Sequence, residues 1–376
     1  MLLSIVIPVY ARPRQLDRLL SSIAQQSLDS AVIQVVVVEN KRCLNRFWLE
    51  HHKWPFRFTY GFMPEGNQAA CRNAGVRLST ADRVLFLDSD IELPEHALAH
   101  LLTDSAKYDR TIVMADVVHP PGSRLTLATH LFDVPQHFRG FRSEQAKSVL
   151  TWRTFTSCAF IIHRAEFERI GGFADSFIHY GYEDGEFALR AEQAGLRIYL
   201  SQAATVFHHK RLAPEDVFTR YFSLGRSSVH FTNLHPNLED AIWGVKPTRN
   251  GDLTYPRDFD YPGLIDRISS IEEALSRDPR YRSSAARKRM ASEGARIYGE
   301  IAEYGNYTGI RRELWGGGEH TLGVADPGDW GQWGKAERRQ EDALFQNQCG
   351  FLTWENRERI MQDLEGNTAG LGDAGD

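Results

Sequence analysis

Cysteine is scarce in this chain of 376 residues: four, at positions 43, 71, 158 and 349, with no CxxC pair. That spacing excludes a zinc ribbon or a dithiol redox motif and fits separate reduced thiols in a cytoplasmic protein. No apolar run approaches the ~20 residues needed to span a bilayer, which excludes an integral membrane segment and leaves only peripheral association. The opening MLLSIVIPVY lacks a basic n-region and a small-residue cleavage site, and Pro8 interrupts it, so it reads as a strand rather than a signal peptide. No GxxxxGKS or GxxxxGKT phosphate loop occurs. Excess positive charge is missing too: Lys and Arg total 44 against 49 Asp and Glu, a net charge of -5, so a broad nucleic-acid-binding surface is not implied. With 42% hydrophobic and 25% charged residues, the chain is neither disordered nor a disulfide-stapled scaffold. At about 150 residues per domain, the length holds about two domains.

What is present is an alternation of strands and helices. Leu2–Val9 and Val32–Val38 are continuous apolar, β-branched runs, the pattern of strands covered on both faces. Pro13 opens a helix whose Leu16, Leu19, Leu20 and Ile23 share one face. Phe56–Tyr60, Arg83–Leu87, Thr111–Val118, Phe155–Ile162 and Leu196–Phe207 read as further strands. Helices fall at Gly66–Leu78, from Pro94 to about Ser105, at Arg164–Ile170, and after Glu183-Asp184 up to Gly195. The order predicts an α/β fold with a largely parallel sheet flanked by helices. Beyond about residue 212 the strand signal ends. Ile265, Ile268, Ile271 and Leu275 form a helical stripe, Met290–Tyr304 a second helix, and Thr353–Leu364 a third; the sequence ends in a frayed GNTAGLGDAGD.

In an open α/β sheet, ligands bind beyond the carboxyl ends of the strands. Four polar groups lie at such ends: Pro8–Arg12, Glu39-Asn40, Asp88-Ser89-Asp90 and His208-His209. Asp88 and Asp90, two apart, project to the same side and call for a cation between them, although Asp90 serves equally as a cap for the following helix. His208 or His209 can complete such a shell, and imidazole with carboxylates and phosphate oxygens suits Mn2+ better than Mg2+. Glu183 and Asp184 open a helix; they are capping acids or, alternatively, a general base. Arg12, Arg72 and Asn73 have the chemistry for base and phosphate contacts.

Each signal is weak alone, but their order is specific. SIVIPVYARPRQLDRLLSSI, VVVVEN, GNQAACRNAGV, VLFLDSDIELP, the stretch from Ile170 to Leu196, and VFHH together resemble the GT-A glycosyltransferases of family 2. The Ile170–Leu196 stretch also resembles the C-terminal catalytic region of the galactosyltransferases. The resemblance covers about residues 2–210. It implies a GT-A fold and an inverting, metal-dependent transfer of a sugar from a nucleotide-sugar, with UDP favoured, to an acceptor hydroxyl. It implies that Asp88 and Asp90 hold Mn2+ or Mg2+ and the donor diphosphate, and that His208 is the third metal ligand, with His209 in reserve. Asp184 becomes the general base, with Glu183 beside it. Pro8, Tyr10, Arg12, Glu39, Arg72 and Asn73 fall on the nucleotide side. Glu39 stands where the family usually has Asp, and Thr156-Ser157-Cys158 replaces the family's usual sequence there.

The expected organisation is therefore a catalytic domain over 1–212, a mainly helical region over 213–365 for acceptor binding or dimerisation, and a disordered tail over 366–376. Trp243, Tyr255, Tyr261, Trp315, Trp330, Trp333 and Trp354 in the helical region are either core aromatics or an acceptor platform. Arg220–His230 is expected as a lid over the donor. A nucleotidyltransferase or a non-catalytic nucleotide-binding relative are the alternatives; the former lacks its glycine-rich phosphate loop.

Overall fold

The computed structural model describes residues 1–107, 109–133, 149–238, 260–277 and 285–315. Its centre is one nine-stranded sheet in the order β3-β2-β1-β4-β8-β6-β9-β5, with β7 paired to β9. The strands are β1 Leu3–Val9, β2 Ile33–Asn40, β3 Arg57–Met63, β4 Arg83–Leu87, β5 Ile91–Glu92, β6 Thr111–Val118, β7 Val149–Leu150, β8 Ala159–His163 and β9 Arg197–His208. Every residue of β1 and β2 is buried, as their unbroken apolar runs require. Around them lie α1 Pro13–Ala24, α2 Arg46–His51, α3 Gln68–Leu78, α4 Ala97–Ala106, α5 Leu127–Phe132, α6 Arg164–Ile170 and α7 Glu183–Gln193.

The α/β class is as expected, and the pairing is more mixed than the alternation implied. β1 with β2, β1 with β4, β2 with β3 and β6 with β9 run parallel. β8 runs antiparallel to both β4 and β6, and β5 and β7 run antiparallel to β9. An apolar run carries no direction, so the sequence could not show that β8 enters reversed. β8 also begins late: Phe155–Cys158, expected as strand, precede it, with Ser157 and Cys158 in a turn at its mouth.

Two packing details position the site. In α1, Leu16, Leu19, Leu20 and Ile23 are buried against the sheet, which fixes the loop bearing Arg12. In α3, a Cβ on Gly75 would stand 2.2 Å from Val6, so only glycine lets this helix lie so close to β1.

The helices after the sheet are α8 Pro214–Leu234, then Tyr261–Arg277 and Ala285–Trp315. They share a second core of Leu212, Val217, Phe218, Phe222, Ile268, Ile297, Tyr298 and Ile301, joined by Ala128 of α5. Gly225 lets α8 meet the Ala285–Trp315 helix at backbone distance; a Cβ there would stand 2.0 Å from the Asn306 carbonyl oxygen. Arg220–His230 lies wholly inside α8, with Arg220, Phe222, Gly225, Ser227, Ser228 and Val229 buried. It is a packed helix and not a lid. Tyr261 packs on Phe218, with ring centroids 4.8 Å apart, and so belongs to this core rather than to a free platform. The expected helix Thr353–Leu364, the tail, and Trp243, Tyr255, Trp330, Trp333 and Trp354 lie outside the described residues.

Candidate active site

The carboxyl ends of β1, β4 and β9 and the start of α7 converge. Asp88 follows β4, and its backbone N–H donates to the Cys158 carbonyl at 2.9 Å. Its Oδ1 accepts from Arg72 Nη2 at 2.8 Å and from Gln68 Nε2 at 3.1 Å. Gln68 and Arg72 are one helical turn apart on α3, so both reach one carboxylate. The Arg72 side chain is 1% exposed. Its Nη1 lies 3.8 Å from Asp184 Oδ1 and 4.0 Å from Glu183 Oε1. One buried guanidinium thus faces three carboxyl groups on two elements, the end of β4 and the start of α7. Burial works against its charge, and Asp88, Asp184 and Glu183 more than restore it.

The two acids of α7 differ. Glu183 is almost wholly buried, and burial followed by the Asp184 charge raises its pKa to about 8. Asp184 keeps about a quarter of its side chain exposed, and its Oδ2 accepts the Ser157 N–H at 3.0 Å. Burial raises its pKa, and Arg72 and the Ser157 hydrogen bonds work against that rise. Arg72 Nε and Nη1, Glu183 Oε2 and Asp184 Oδ1 are buried without a hydrogen-bond partner. Orphaned polar atoms are costly and uncommon; four in one place mark a site built for something besides stability.

The second acid of Asp88-Ser89-Asp90 looks the other way. Asp90 Oδ2 accepts from Arg12 Nη1 at 2.9 Å, and its Oδ1 lies 3.3 Å from His208 Nε2. Burial would raise the Asp90 pKa, but His208, Arg12 and Lys210 together hold it far below the usual carboxylate range. His208 ends β9 and is 3% exposed. Burial opposes its charge, yet Asp133 and Asp90 raise its pKa to about 10. The His209 imidazole turns aside to Glu92, its Nε2 2.5 Å from Oε2, so the ring brought to the Asp90 carboxylate is that of His208, while His209 meets Asp90 only through its backbone N–H on the Asp90 carbonyl at 2.9 Å.

With its Nε2 proton displaced, His208 would offer an imidazole nitrogen beside the hard oxygen of Asp90 Oδ1, a donor pair that fits a divalent cation taking its other ligands from phosphate oxygens. Asp88 is not gathered with them, being held by Arg72. Among the described residues no three metal-ligating side chains form a ready-made cation site.

The nucleotide-side candidates separate as well. Pro8 is buried in β1, and Tyr10 sits half-buried just beyond it. Glu39 is fully buried and accepts from the Asn45 N–H at 3.1 Å, from Asn45 Nδ2 at 2.8 Å and from Tyr60 OH at 2.8 Å. Burial raises its pKa, and these hydrogen bonds limit the rise. Asn73 uses both ends of its amide on Phe173, donating to the carbonyl at 2.8 Å and accepting the N–H at 2.9 Å. Asn67, the N-cap of α3, donates to the carbonyls of Asp175 and Phe177. Glu39 and Asn73, read from sequence as nucleotide contacts, thus hold the protein's own chain. Asp133, Gln68 and the Ser157 N–H were not anticipated; only Gln68 left a signal, its four-residue offset from Arg72.

Ala11, Lys41 and Tyr182 have positive φ angles of 44°, 59° and 67°. Each adjoins a residue of this region: Arg12, Asn40 and Glu183. Strained backbone of this kind gathers where geometry is dictated by function.

Residues 4–171 match the family model described as Glycosyl transferase family 2. Residues 139–211 match one described as N-terminal domain of galactosyltransferase. The first match takes in Arg12, Arg72, Asp88 and Asp90, and the second takes in Glu183, Asp184 and His208. Validoxylamine A glucosyltransferase of Streptomyces hygroscopicus subsp. limoneus is 24% identical over 272 residues, 65% of this chain and 59% of that protein. The aligned region thus spans about three-fifths of that relative's length. Poly(ribitol-phosphate) beta-N-acetylglucosaminyltransferase TarP of Staphylococcus aureus (strain N315) is 31% identical over 103 residues, 26% of this chain and 31% of that protein. The solved structure of S. aureus TarS 1-349 in complex with UDP aligns with a TM-score of 0.46 at 14% identity, covering 87% of this chain and 95% of that chain. No described helix is long and apolar enough to cross a membrane.

Proposed function

We propose that this chain is an inverting glycosyltransferase that moves a sugar from a nucleotide-sugar to an acceptor hydroxyl. The observation that carries this is the pairing of two unlike acids around Arg72: buried Glu183 and half-open Asp184, with Asp88 on the same guanidinium. Glycosyl transfer leaves negative charge on the departing diphosphate and positive character on the sugar, as in glycoside hydrolysis. Asp184 takes the proton of the attacking hydroxyl. Arg72 and the Ser157 N–H favour its ionised form, while Glu183 stays protonated near neutral pH and adds no second charge. Attack from the face opposite the leaving group inverts the anomeric centre. Arg12 and Lys210 supply positive charge on the diphosphate side. Asp90 and His208 would hold Mn2+ or Mg2+, which when bound neutralises charge on the leaving diphosphate. The names of the curated relatives support a glucosyl or N-acetylglucosaminyl donor, and UDP-sugars are the first to try.

The test is a thermal-shift panel of nucleotide-sugars with and without Mn2+, followed by an assay for released nucleoside diphosphate. A true donor raises the melting temperature by mass action and is slowly hydrolysed or transferred. If no nucleotide-sugar shifts the transition or yields nucleoside diphosphate, the reading is wrong.

A further inference from the structure

We propose that Asp133 is the positioning residue for His208 and that the C-terminal helices act on the cation site through it. The proposal rests on the reading of Asp90 and His208 as metal ligands. Asp133 closes α5 and is completely buried. Its Oδ2 lies 3.0 Å from His208 Nδ1, on the opposite side of the ring from Asp90. An ionised carboxylate can only accept, so the shared proton sits on His208 Nδ1. The ring is thereby held with Nε2 toward Asp90. A ligating histidine oriented by a carboxylate on its other nitrogen is a recurrent device of metal sites. Burying an aspartate for the sake of packing alone is a poor bargain, since its Oδ1 is left without a hydrogen-bond partner and such burial is penalised.

Six residues of α5 cannot hold themselves in place, because so short a helix is marginal alone. The later helices hold it at both ends. Glu272 accepts the N–H groups of Leu127 and Ala128 at 2.8 and 2.9 Å. Tyr298 OH donates to the same Glu272 at 2.7 Å. Arg220 of α8 donates to the Phe132 carbonyl at 2.8 Å, one residue before Asp133. The path runs from Glu272 and Arg220 through α5 to Asp133, His208 and Asp90. The helical region therefore builds the rear wall of the cation site.

The experiment titrates the full chain with Mn2+ in the presence of UDP and reads free Mn2+ by electron paramagnetic resonance. Melting temperature is followed in parallel. Asp133→Ala weakens Mn2+ retention by about 10–100-fold. Asp133→Asn, whose amide oxygen still accepts from Nδ1–H, recovers much of the loss. Glu272→Ala, remote from the ligands, weakens retention several-fold in the same direction. Folded Asp133→Ala with wild-type Mn2+ affinity overturns the proposal. If that variant does not fold, unchanged affinity in both Asp133→Asn and Glu272→Ala overturns it. A wild-type chain that retains no Mn2+ with UDP overturns the metal reading itself, and this proposal with it.

Discussion

Arg72 Nη2 donates to Asp88 Oδ1 at 2.8 Å from a side chain that is 1% exposed, and the same guanidinium faces both acids at the start of α7. The segment Asp88–Asp90 and the start of α7 are therefore held by one positive charge. Replacing Arg72 by Met leaves three carboxylates without their cation. Breaking a buried pair on one side costs about 3–5 kcal/mol, so Arg72→Met is expected to lower the urea midpoint sharply. Arg72→Lys, which keeps the charge, is expected to fall between the two. A midpoint for the Met variant equal to wild type would show that the cluster is not held this way.

Asp184→Asn separates chemistry from structure. The amide oxygen can still accept the Ser157 N–H, so the fold and donor binding are expected to survive. General base catalysis contributes about 10²–10⁴-fold, and transfer is expected to drop by that order while the donor-induced thermal shift persists. Transfer at near wild-type rate removes Asp184 from the base role.

Glu183 makes a pH signature. Its pKa is raised from the ordinary 4.5 to about 8, by burial first and the Asp184 charge second. Between those values the folded state holds a proton that the unfolded chain has released. Stability contributed by this group is therefore lost as pH climbs from about 4.5 to about 8, and the penalty is constant above that. Glu183→Gln does not titrate. The melting-temperature difference between variant and wild type is expected to open in the variant's favour across that window. Parallel curves would place the Glu183 pKa back in the ordinary range.

Two glycine substitutions in the helical region are expected to act in opposite directions. Gly225→Ala puts a Cβ 2.0 Å from the Asn306 carbonyl oxygen and forces two backbones apart, at a cost of about 1–3 kcal/mol or more. Gly299→Ala meets nothing within 4 Å and gains up to about 1 kcal/mol of helix propensity. Urea midpoints of the two variants decide; equal shifts would show that α8 and its partner do not pack through Gly225.

β1, β2, β4 and β6 could be read from the sequence because strands largely buried on both faces are rich in apolar and β-branched residues, even where β6 carries Asp116. The short elements α2, α5, β5 and β7 could not, since two to six residues carry no period. Arg220–His230 differs from the expected lid because Gly225 lets this stretch of α8 pack directly against the Ala285–Trp315 helix, a contact no local pattern reports. Asp88, Asp90, Asp184 and His208 stood out through order and spacing. The true partners of Glu39 and Asn73 did not: Asn73 clasps Phe173, 100 positions away, and no local pattern reports such a contact. Asp133 was invisible for the same reason, 75 positions from His208.

The grip of α3 on the segment before Glu183 has a further consequence. Asn67 and Asn73 hold Phe173, Asp175 and Phe177 by carbonyls and an N–H, never by side chains. Such a clamp leaves the side chains to serve elsewhere: Phe173 and Phe177 are buried in the core, while Ile178 stands widely exposed. A change at Ile178 can therefore alter the surface while the hydrogen bonds of Asn67 and Asn73 stay as they are.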